Sequence, residues 1–203
     1  MDFEEIKKDQ RKINRTKLRQ SLNEDWVIEK INKYIERHRL NYSIEDVKKE
    51  ILTSDLVASI FIKEPNKQNF TEKIISDAIK KNDLVENFMT SKDGEIFLEN
   101  GKITKERKVG NKSIDFSWKT NGKNVFASQK YINESGGGQD NQFNDVKNFL
   151  MNAQNSNKDE FFIAIVDGKY FNQSKMNYLK SFEDDNIFVC SIHSLQEVLK
   201  KIE

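Results

Sequence analysis

The sequence has few of the residues that build several common kinds of site. Its 203 residues include one cysteine, one proline and eight glycines. The single Cys190 excludes a disulfide framework and leaves no set of cysteines for a zinc site. No apolar run approaches the roughly 20 residues of a membrane span, and the N-terminus has no apolar signal segment. We therefore expect a protein of the reducing cytoplasm that makes no membrane contact.

Charge is abundant in the chain but balanced. Charged residues make up 33% and hydrophobic residues 36%, and the formal net charge is +1. The distribution is uneven, because residues 7–19 hold seven basic residues and one acid, and residues 102–130 hold eight basic residues and two acids. The total charge therefore argues neither for nor against a polyanion partner, and the uneven distribution allows local basic patches.

The first part of the chain has helical periodicity. Residues 24–39 carry apolar side chains at helical spacing, and Ser43 with Asp46 three residues later is typical of a helix N-terminus. Residues 2–22 are basic and sparsely apolar, which indicates a frayed helix or mobile arm. We therefore predict a helical N-terminal part with a basic arm over residues 1–60.

The period changes after residue 90, and we predict an α/β core over residues 61–203. Asn100-Gly101 and Asn121-Gly122 each separate two strand-like runs, which is the signal of a tight hairpin. Residues 161–166 and 187–192 are continuous apolar runs, typical of strands covered on both faces. With helices at 65–81 and 139–154, the order predicts a three-stranded antiparallel meander followed by parallel strands. The fold class is α/β, with a mixed central sheet of about five strands flanked by helices.

The second hairpin brings together residues that have catalytic chemistry. With its turn at Asn121-Gly122, Asp115 lies opposite Ser128, and alternation places Lys130 on the same face as Ser128. A carboxylate there can hold a divalent ion. A neighbouring ammonium can position a water molecule or stabilise developing phosphate charge.

This arrangement resembles the PD-(D/E)xK nuclease superfamily, whose αβββαβ core carries an acid on one hairpin strand and acid-x-lysine on the next. Asp115 in "SIDFSW" and Lys130 in "FASQKYI" match that pattern. Glu72 in "EPNKQNFTEKI" matches the glutamate that the leading helix often contributes, and "ESGGGQDNQFND" is similar to several type II restriction endonucleases. The resemblance covers residues 60–192.

The resemblance implies a restriction-modification enzyme that cleaves double-stranded DNA at a short site. It implies Mg²⁺ as cofactor, with Asp115, Glu72 and Asp145 as metal ligands, and a homodimer acting on a palindromic site. The catalytic residues are then Asp115, Lys130, Glu72 and Ser128.

One departure from the family pattern affects the chemistry directly. Ser128 stands where the family has Asp or Glu, and a serine hydroxyl is a poor ligand for Mg²⁺. Either an acid on the following helix, Asp145 or Asp140, replaces it, or the chain is an inactivated variant, or the match is accidental. Ile114 also stands in place of the motif's proline.

Three glycines follow the strand that ends at Lys130. Gly136 to Gly138 permit left-handed backbone and a close approach to a DNA phosphate, and helix N-terminal amides favour anions. Nearby amide side chains suit phosphates or base edges. The predicted DNA contacts are Gly137, Gly138, Gln139, Asn141, Gln142 and Asn133.

Other interpretations of these residues stay open from the sequence alone. The chain fits a non-catalytic DNA-binding or antitoxin-like protein on a dead nuclease scaffold, or a structure-specific repair or junction nuclease. Asp115 and Lys130 also fit an ordinary ion pair, and Glu72 fits a first-turn residue that is stabilised by the helix dipole.

Overall fold

The computed structural model describes residues 3–65, 70–108, 111–133 and 137–202. The chain divides into two units, Met1–Thr71 and Glu72–Glu203. No helix within the described ranges is long and apolar enough to cross a membrane.

The first unit is helical because its apolar residues recur at helical spacing and are buried on one side of each helix. Its core contains Leu18, Val27, Ile31, Ile51 and Phe61. Ser43 forms the predicted capping box, in which its hydroxyl accepts from the Asp46 amide and the Asp46 side chain accepts from the Ser43 amide. The helices are α1 (Phe3–Gln20), α2 (Asp25–His38), α3 (Ile44–Thr53) and α4 (Asp55–Phe61).

The basic run near the N-terminus lies within helix α1, and its arginines contact acids of the same unit. Arg11 lies 3.1 Å from Glu64. Arg15 and Arg19 lie 3.5 and 2.8 Å from Asp55. Much of the positive charge that suggested a DNA-binding arm is therefore neutralised inside this unit.

The second unit contains the five-stranded mixed sheet that the sequence predicts, which confirms the fold class. The sheet strands are β1 (Glu86–Thr90), β5 (Phe116–Thr120), β6 (Lys123–Tyr131), β7 (Glu160–Asp167) and β8 (Ile187–Cys190). Their order across the sheet is β1-β5-β6-β7-β8. Strands β1, β5 and β6 pair antiparallel, and β6, β7 and β8 pair parallel. The helices of this unit are α5 (Phe70–Lys80, which begins at the unit boundary), α6 (Gly137–Ala153), α7 (Gln173–Lys180) and α8 (Leu195–Leu199).

Both faces of the parallel strands are buried, which explains their continuous apolar sequence. On one face, Phe162, Ala164 and Val166 pack with residues of α6 such as Val146 and Phe149. The alternate residues on the other face of β7, including Ile163 and Ile165, are also fully buried. The burial pattern of β6 and β7 therefore fixes which side chains face α6, and Ser128 and Lys130 are on that side.

The first predicted hairpin does not belong to the central sheet. It forms β2 (Phe97–Glu99) and β3 (Lys102–Thr104), which join β4 (Lys112–Ser113) in a separate three-stranded sheet of order β3-β2-β4. The expectation of one continuous meander is corrected here, because the third antiparallel strand of the central sheet is β1. That strand lies at the sheet edge, has an irregular register and buries little of its surface, so it lacks the alternation that marks a strand in sequence.

Candidate active site

The β5–β6 hairpin has the register that its turn predicts. Asn121 and Gly122 have φ values of 51° and 77°, as a type I′ turn requires, and Phe116 pairs with Ala127. Asp115 is the next residue before β5, and its amide donates to the Ala127 carbonyl at 2.9 Å. Its own carbonyl accepts from the Ser91 amide at 3.2 Å, so the backbone at Asp115 is held from both sides.

The Asp115 carboxylate is the centre of a small polar cluster. Its Oδ2 accepts from the Gln129 amide at 2.7 Å and from Ser128 Oγ at 3.4 Å. The same oxygen lies 3.6 Å from Lys130 Nζ. Among the described residues no hydrogen bond is made to Oδ1, which leaves that oxygen for a ligand. The predicted juxtaposition of acid, hydroxyl and ammonium is therefore present in the structure.

A cavity of about 500 Å³ opens beside this cluster. Ser128 and Lys130 line it from β6, and Asp145 and Phe149 line it from α6. The small sheet and its loop supply the remaining wall with Phe97, Arg107, Lys108, Asn111 and Ser113. The described lining therefore holds three cations and one acid, a balance that favours an anion such as a phosphate. Carboxylates outside this lining contact two of these cations, Lys130 and Lys108, and offset part of their charge.

The structure unites only part of the predicted metal-ligand set. Asp145 shares the cavity with Ser128 and Lys130, and Asp115 contacts both of those residues. Glu72 is half-buried in the first turn of α5, and the described cavity lining does not include it. Within the described ranges, no group of three or more His, Cys, Asp or Glu is placed to hold a metal ion.

Asp140, the other acid considered as a replacement for the missing one, has a structural partner. The Tyr170 hydroxyl donates to its carboxylate, and this bond raises the pKa of Tyr170. Lys175 Nζ lies 4.0 Å from the centre of the Tyr170 ring. Asp140 therefore ties the start of α6 to the segment after β7, and Asp145 is the better candidate for the cavity.

The predicted DNA contacts lie around the start of α6. Gly137 and Gly138 are its first residues, Asn141 and Gln142 are exposed, and Gln139 is half-buried. Gly136 lies outside the described residues. The expectation of left-handed backbone is wrong for Gly138, which is helical, and a Cβ added there would meet nothing within 4 Å. The space beside Gly138 is therefore open.

Asn133 makes a contact within the protein. Its Oδ1 accepts from the Lys169 amide at 3.3 Å, which links the end of β6 to the turn after β7.

Among the cavity residues not singled out from the sequence are Arg107, Lys108 and Asn111. Arg107 and Lys108 follow β3, and Lys108 lies 3.3 Å from Glu99 and 3.5 Å from Glu106. Asn111 donates from Nδ2 to the Glu106 carbonyl at 2.8 Å, which fixes the orientation of its amide. Its buried Oδ1 has no hydrogen-bond partner in the described part of the chain. In the sequence, this side of the cavity was indicated only by the excess of basic over acidic residues in 102–130.

Asp167, at the end of β7, connects the ends of three strands. Its carbonyl accepts from the Ile132 amide at 2.9 Å, and its Oδ2 accepts from the Ile192 amide at 3.0 Å. Burial raises the pKa of this carboxyl to about 6, and the Ile192 amide and His193 partly oppose that effect. The carboxyl is therefore protonated below about pH 6, and at neutral pH it is ionised at a cost to folding stability.

Replacing Asp167 with Asn should remove a pH-dependent loss of stability. The carboxyl titrates near 3.9 when unfolded and near 6 when folded, so between these values the folded state binds more protons and stability falls as pH rises. The Asn oxygen still accepts from Ile192 but carries no charge. Urea unfolding should show the variant gaining about 2.5 kcal/mol over the parent between pH 4 and pH 8.

The exposed Asp159→Asn provides the matched control for this measurement. Its difference in unfolding free energy from the parent should change little with pH. A flat difference for Asp167→Asn as well would show that burial does not raise the pKa of Asp167 above its unfolded value.

Comparison with known proteins supplies a family. The model of the Tsp45I type II restriction enzyme family matches residues 23–202. None of the curated proteins matches the chain. The match confirms the resemblance to type II restriction endonucleases that the sequence motifs indicate.

Two solved structures have low similarity to this chain. Can2 from Sulfobacillus thermosulfidooxidans, in complex with cyclic tetra-adenylate, aligns over 95% of this chain and 56% of its own, with 10% identity and a TM-score of 0.41. Protein VC1899 from Vibrio cholerae aligns over 92% of this chain and 51% of its own, with 12% identity and a TM-score of 0.34. The chain thus spans about half the length of these two proteins.

Proposed function

The chain belongs to the Tsp45I type II restriction enzyme family, and from this premise we propose that it hydrolyses phosphodiester bonds of duplex DNA at a short specific sequence. The observation that carries the proposal is the cluster of Asp115, Ser128 and Lys130 beside a cationic cavity. The compartment we propose is the cytoplasm, where the DNA substrate lies.

Lys130 is the central catalytic group in this proposal. Its side chain is about three-quarters buried and its Nζ lies 3.6 Å from Asp115 Oδ2, so its position is constrained while part of the side chain remains accessible. In that place it orients the attacking water and stabilises the negative charge that develops on the phosphate. Arg107 and Lys108, on the opposite wall, hold phosphates of the strand that enters the cavity.

The residues present fit a Mg²⁺ ion that retains several of its waters. Mg²⁺ commonly binds proteins through one or two carboxylates, so it does not require a cluster of three acids. The hydrogen bonds and the ion pair of the Asp115 carboxylate with described residues all use Oδ2, which leaves Oδ1 for the ion. The cavity adds Asp145 and Asn111, whose Oδ1 has no hydrogen-bond partner within the described ranges. When bound, the ion would neutralise phosphate charge and lower the pKa of a water molecule.

Glu72 is the weakest member of the proposed metal set. We propose its carboxylate as an additional metal ligand because Glu72 lies in the helix that matches the leading helix of the family pattern. Asp145 has better support because it faces the cavity that Ser128 and Lys130 line.

The start of α6 is the proposed DNA-contacting edge of this site. Helix N-terminal amides favour phosphates, and the open space beside Gly138 would allow a DNA backbone to approach closely. Gln139, Asn141 and Gln142 would then contact the DNA near the scissile bond. We also propose a homodimer, because a two-fold assembly matches a palindromic site.

Ser128 favours a second candidate function, a DNA-binding protein that does not cleave. Its side chain is 5% exposed and replaces the acid that the family pattern has at this position. We favour the active enzyme, with Asp145 in place of the missing acid.

Digestion of plasmid and phage DNA with Mg²⁺ or Mn²⁺ tests these alternatives. The parent chain should give discrete bands that Asp145→Asn loses, because removing one charged ligand weakens metal binding strongly. Bands from Ser128→Glu alone would identify a disabled enzyme, and cleavage of branched DNA alone would identify a structure-specific nuclease. If neither protein cuts but both shift DNA in a gel, the chain is a non-catalytic binder. Failure to bind any DNA would contradict the proposed function.

A further inference from the structure

Two adjoining cavities in the helical unit form a continuous groove along α2. Their volumes are about 540 and 550 Å³, and they share Lys30, Ile62 and Lys63. The first also reaches Lys17 and Trp26, and the second also reaches Lys33 and Arg37. We call this surface, defined by those seven residues, the α2 groove.

Helical geometry places the cations of α2 along one stripe. Lys30, Lys33 and Arg37 are separated by three and four residues, so their side chains leave the same face of the helix. At 1.5 Å per residue they span about 10 Å along the axis. Each strand of a duplex carries one phosphate per about 3.4 Å of its axis, so this stripe has the length of about three phosphates.

The α2 groove has an excess of positive charge. Among the described residues that line its two cavities are five cations, Lys17, Lys30, Lys33, Arg37 and Lys63, and one acid, Glu64. Glu64 already contacts Arg11 at 3.1 Å. Lys33 contacts Glu29, whose carboxylate offsets part of the positive charge of Lys33. This excess is concentrated, since the whole chain has a formal net charge of only +1.

Lys30 lies where the two cavities meet, and its environment favours an added anion. Its Nζ donates to the Phe61 carbonyl at 2.6 Å, which uses one of its three N–H donors. Burial lowers the pKa of Lys30, and no carboxylate opposes that effect. A phosphate oxygen in the groove would supply the missing negative charge.

We propose that the α2 groove binds the phosphate backbone of duplex DNA independently of sequence. The inference rests on the proposed function, which gives the chain a DNA substrate, and it names a second contact surface for that substrate. It also differs from the expectation of a basic arm at residues 7–19, whose arginines are engaged by Glu64 and Asp55.

The test compares two triple variants with the same change in charge. The groove variant combines Lys30→Gln, Lys33→Gln and Arg37→Gln, and it removes the three cations of the α2 stripe. The control variant combines Lys8→Gln, Lys12→Gln and Lys49→Gln. It removes three exposed cations of the same unit that are not among the residues lining the groove. Binding to a fluorescent 30-base-pair duplex of arbitrary sequence is measured by anisotropy across a range of salt concentrations, without divalent metal.

The groove variant should lower the slope of log affinity against log salt by about 2.7, since each phosphate contact contributes about 0.9. At 0.1 M salt this corresponds to an affinity loss of about 10² to 10³-fold. The control should change the slope by about 0.5 or less. A double variant, Lys33→Gln with Arg37→Gln, changes only exposed side chains and keeps Lys30. It should lower the slope by about 1.8, and it provides the test if the triple variant misfolds.

Equal slopes for the groove and control variants would overturn the inference, as would a parent chain that binds no duplex. If the groove variant loses binding to polyglutamate while its DNA binding equals that of the parent chain, the groove binds an acidic protein partner. That result would also overturn the inference. A parent chain that binds DNA with the expected slope but never cuts it would contradict the proposed function and leave this inference standing.

Discussion

Lys130→Ala should reduce the rate of DNA cleavage by about 10³-fold or more while DNA affinity changes little. Removing a group that stabilises developing charge typically costs about 10² to 10³ in rate, and removing one that handles the attacking water typically costs about 10² to 10⁴. Lys130 is positioned for both roles by its 3.6 Å contact with Asp115. Affinity should persist because Arg107, Lys108 and the start of α6 remain.

The measurement is single-turnover cleavage of a short duplex, made in the parent chain or in Ser128→Glu, whichever cuts. Lys119→Ala is the matched control, because Lys119 is an exposed lysine on the neighbouring strand β5. The control should cleave at the parent rate. A Lys130 variant that keeps more than a tenth of the parent rate would contradict a catalytic role for Lys130.

Gly168→Ala should cost about 3 to 5 kcal/mol of unfolding free energy, within the range of large effects tied to backbone strain and overpacking. Gly168 has a φ of +102°, and a Cβ built there would lie 2.2 Å from the Ile132 carbonyl oxygen. That oxygen accepts from the Tyr170 amide at 3.0 Å, and the Ile132 amide donates to the Asp167 carbonyl at 2.9 Å. The new methyl group must therefore break the connection between the ends of β6 and β7.

Two other glycines separate the causes of this effect. Gly122 has a φ of +77° but open space around its added Cβ, so Gly122→Ala should show the backbone strain alone, about 1 to 2 kcal/mol. Gly138 has neither a left-handed φ nor a close neighbour, so Gly138→Ala should be neutral or slightly stabilising. Thermal unfolding gives the three values, and a Gly168 variant as stable as the Gly122 variant would show that the turn relaxes around the methyl group.

The sequence predicted the features that depend on short-range rules. The capping box at Ser43 and the Asn121-Gly122 turn follow from local hydrogen bonding and from left-handed backbone, and both are present. The position of this turn also determined the register of β5 against β6, which places Asp115 beside Ser128. The buried strand at 161–166 was predicted because both of its faces are covered.

The features that were missed depend on contacts between distant segments. The edge strand β1 has no alternating pattern, since its neighbours rather than its own composition make it a strand. Arg107 and Asn111 face the cavity only because the small sheet packs near α6. The partners of the α1 arginines, Glu64 and Asp55, are more than 30 residues away, so neutralisation of the basic run was not visible in its sequence.

The hairpin register has a consequence for how this family can change over time. The reactive side chains occupy alternate residues of β6, so Ser128 and Lys130 face the cavity while Gln129 faces away from it and is 9% exposed. Substitutions on this strand alter one side chain at a time. An insertion or deletion of one residue between Asp115 and Ser128 would turn every later side chain of the strand to the opposite face. Lineages descended from such an ancestor should therefore vary in the residues of this hairpin far more readily than in its length.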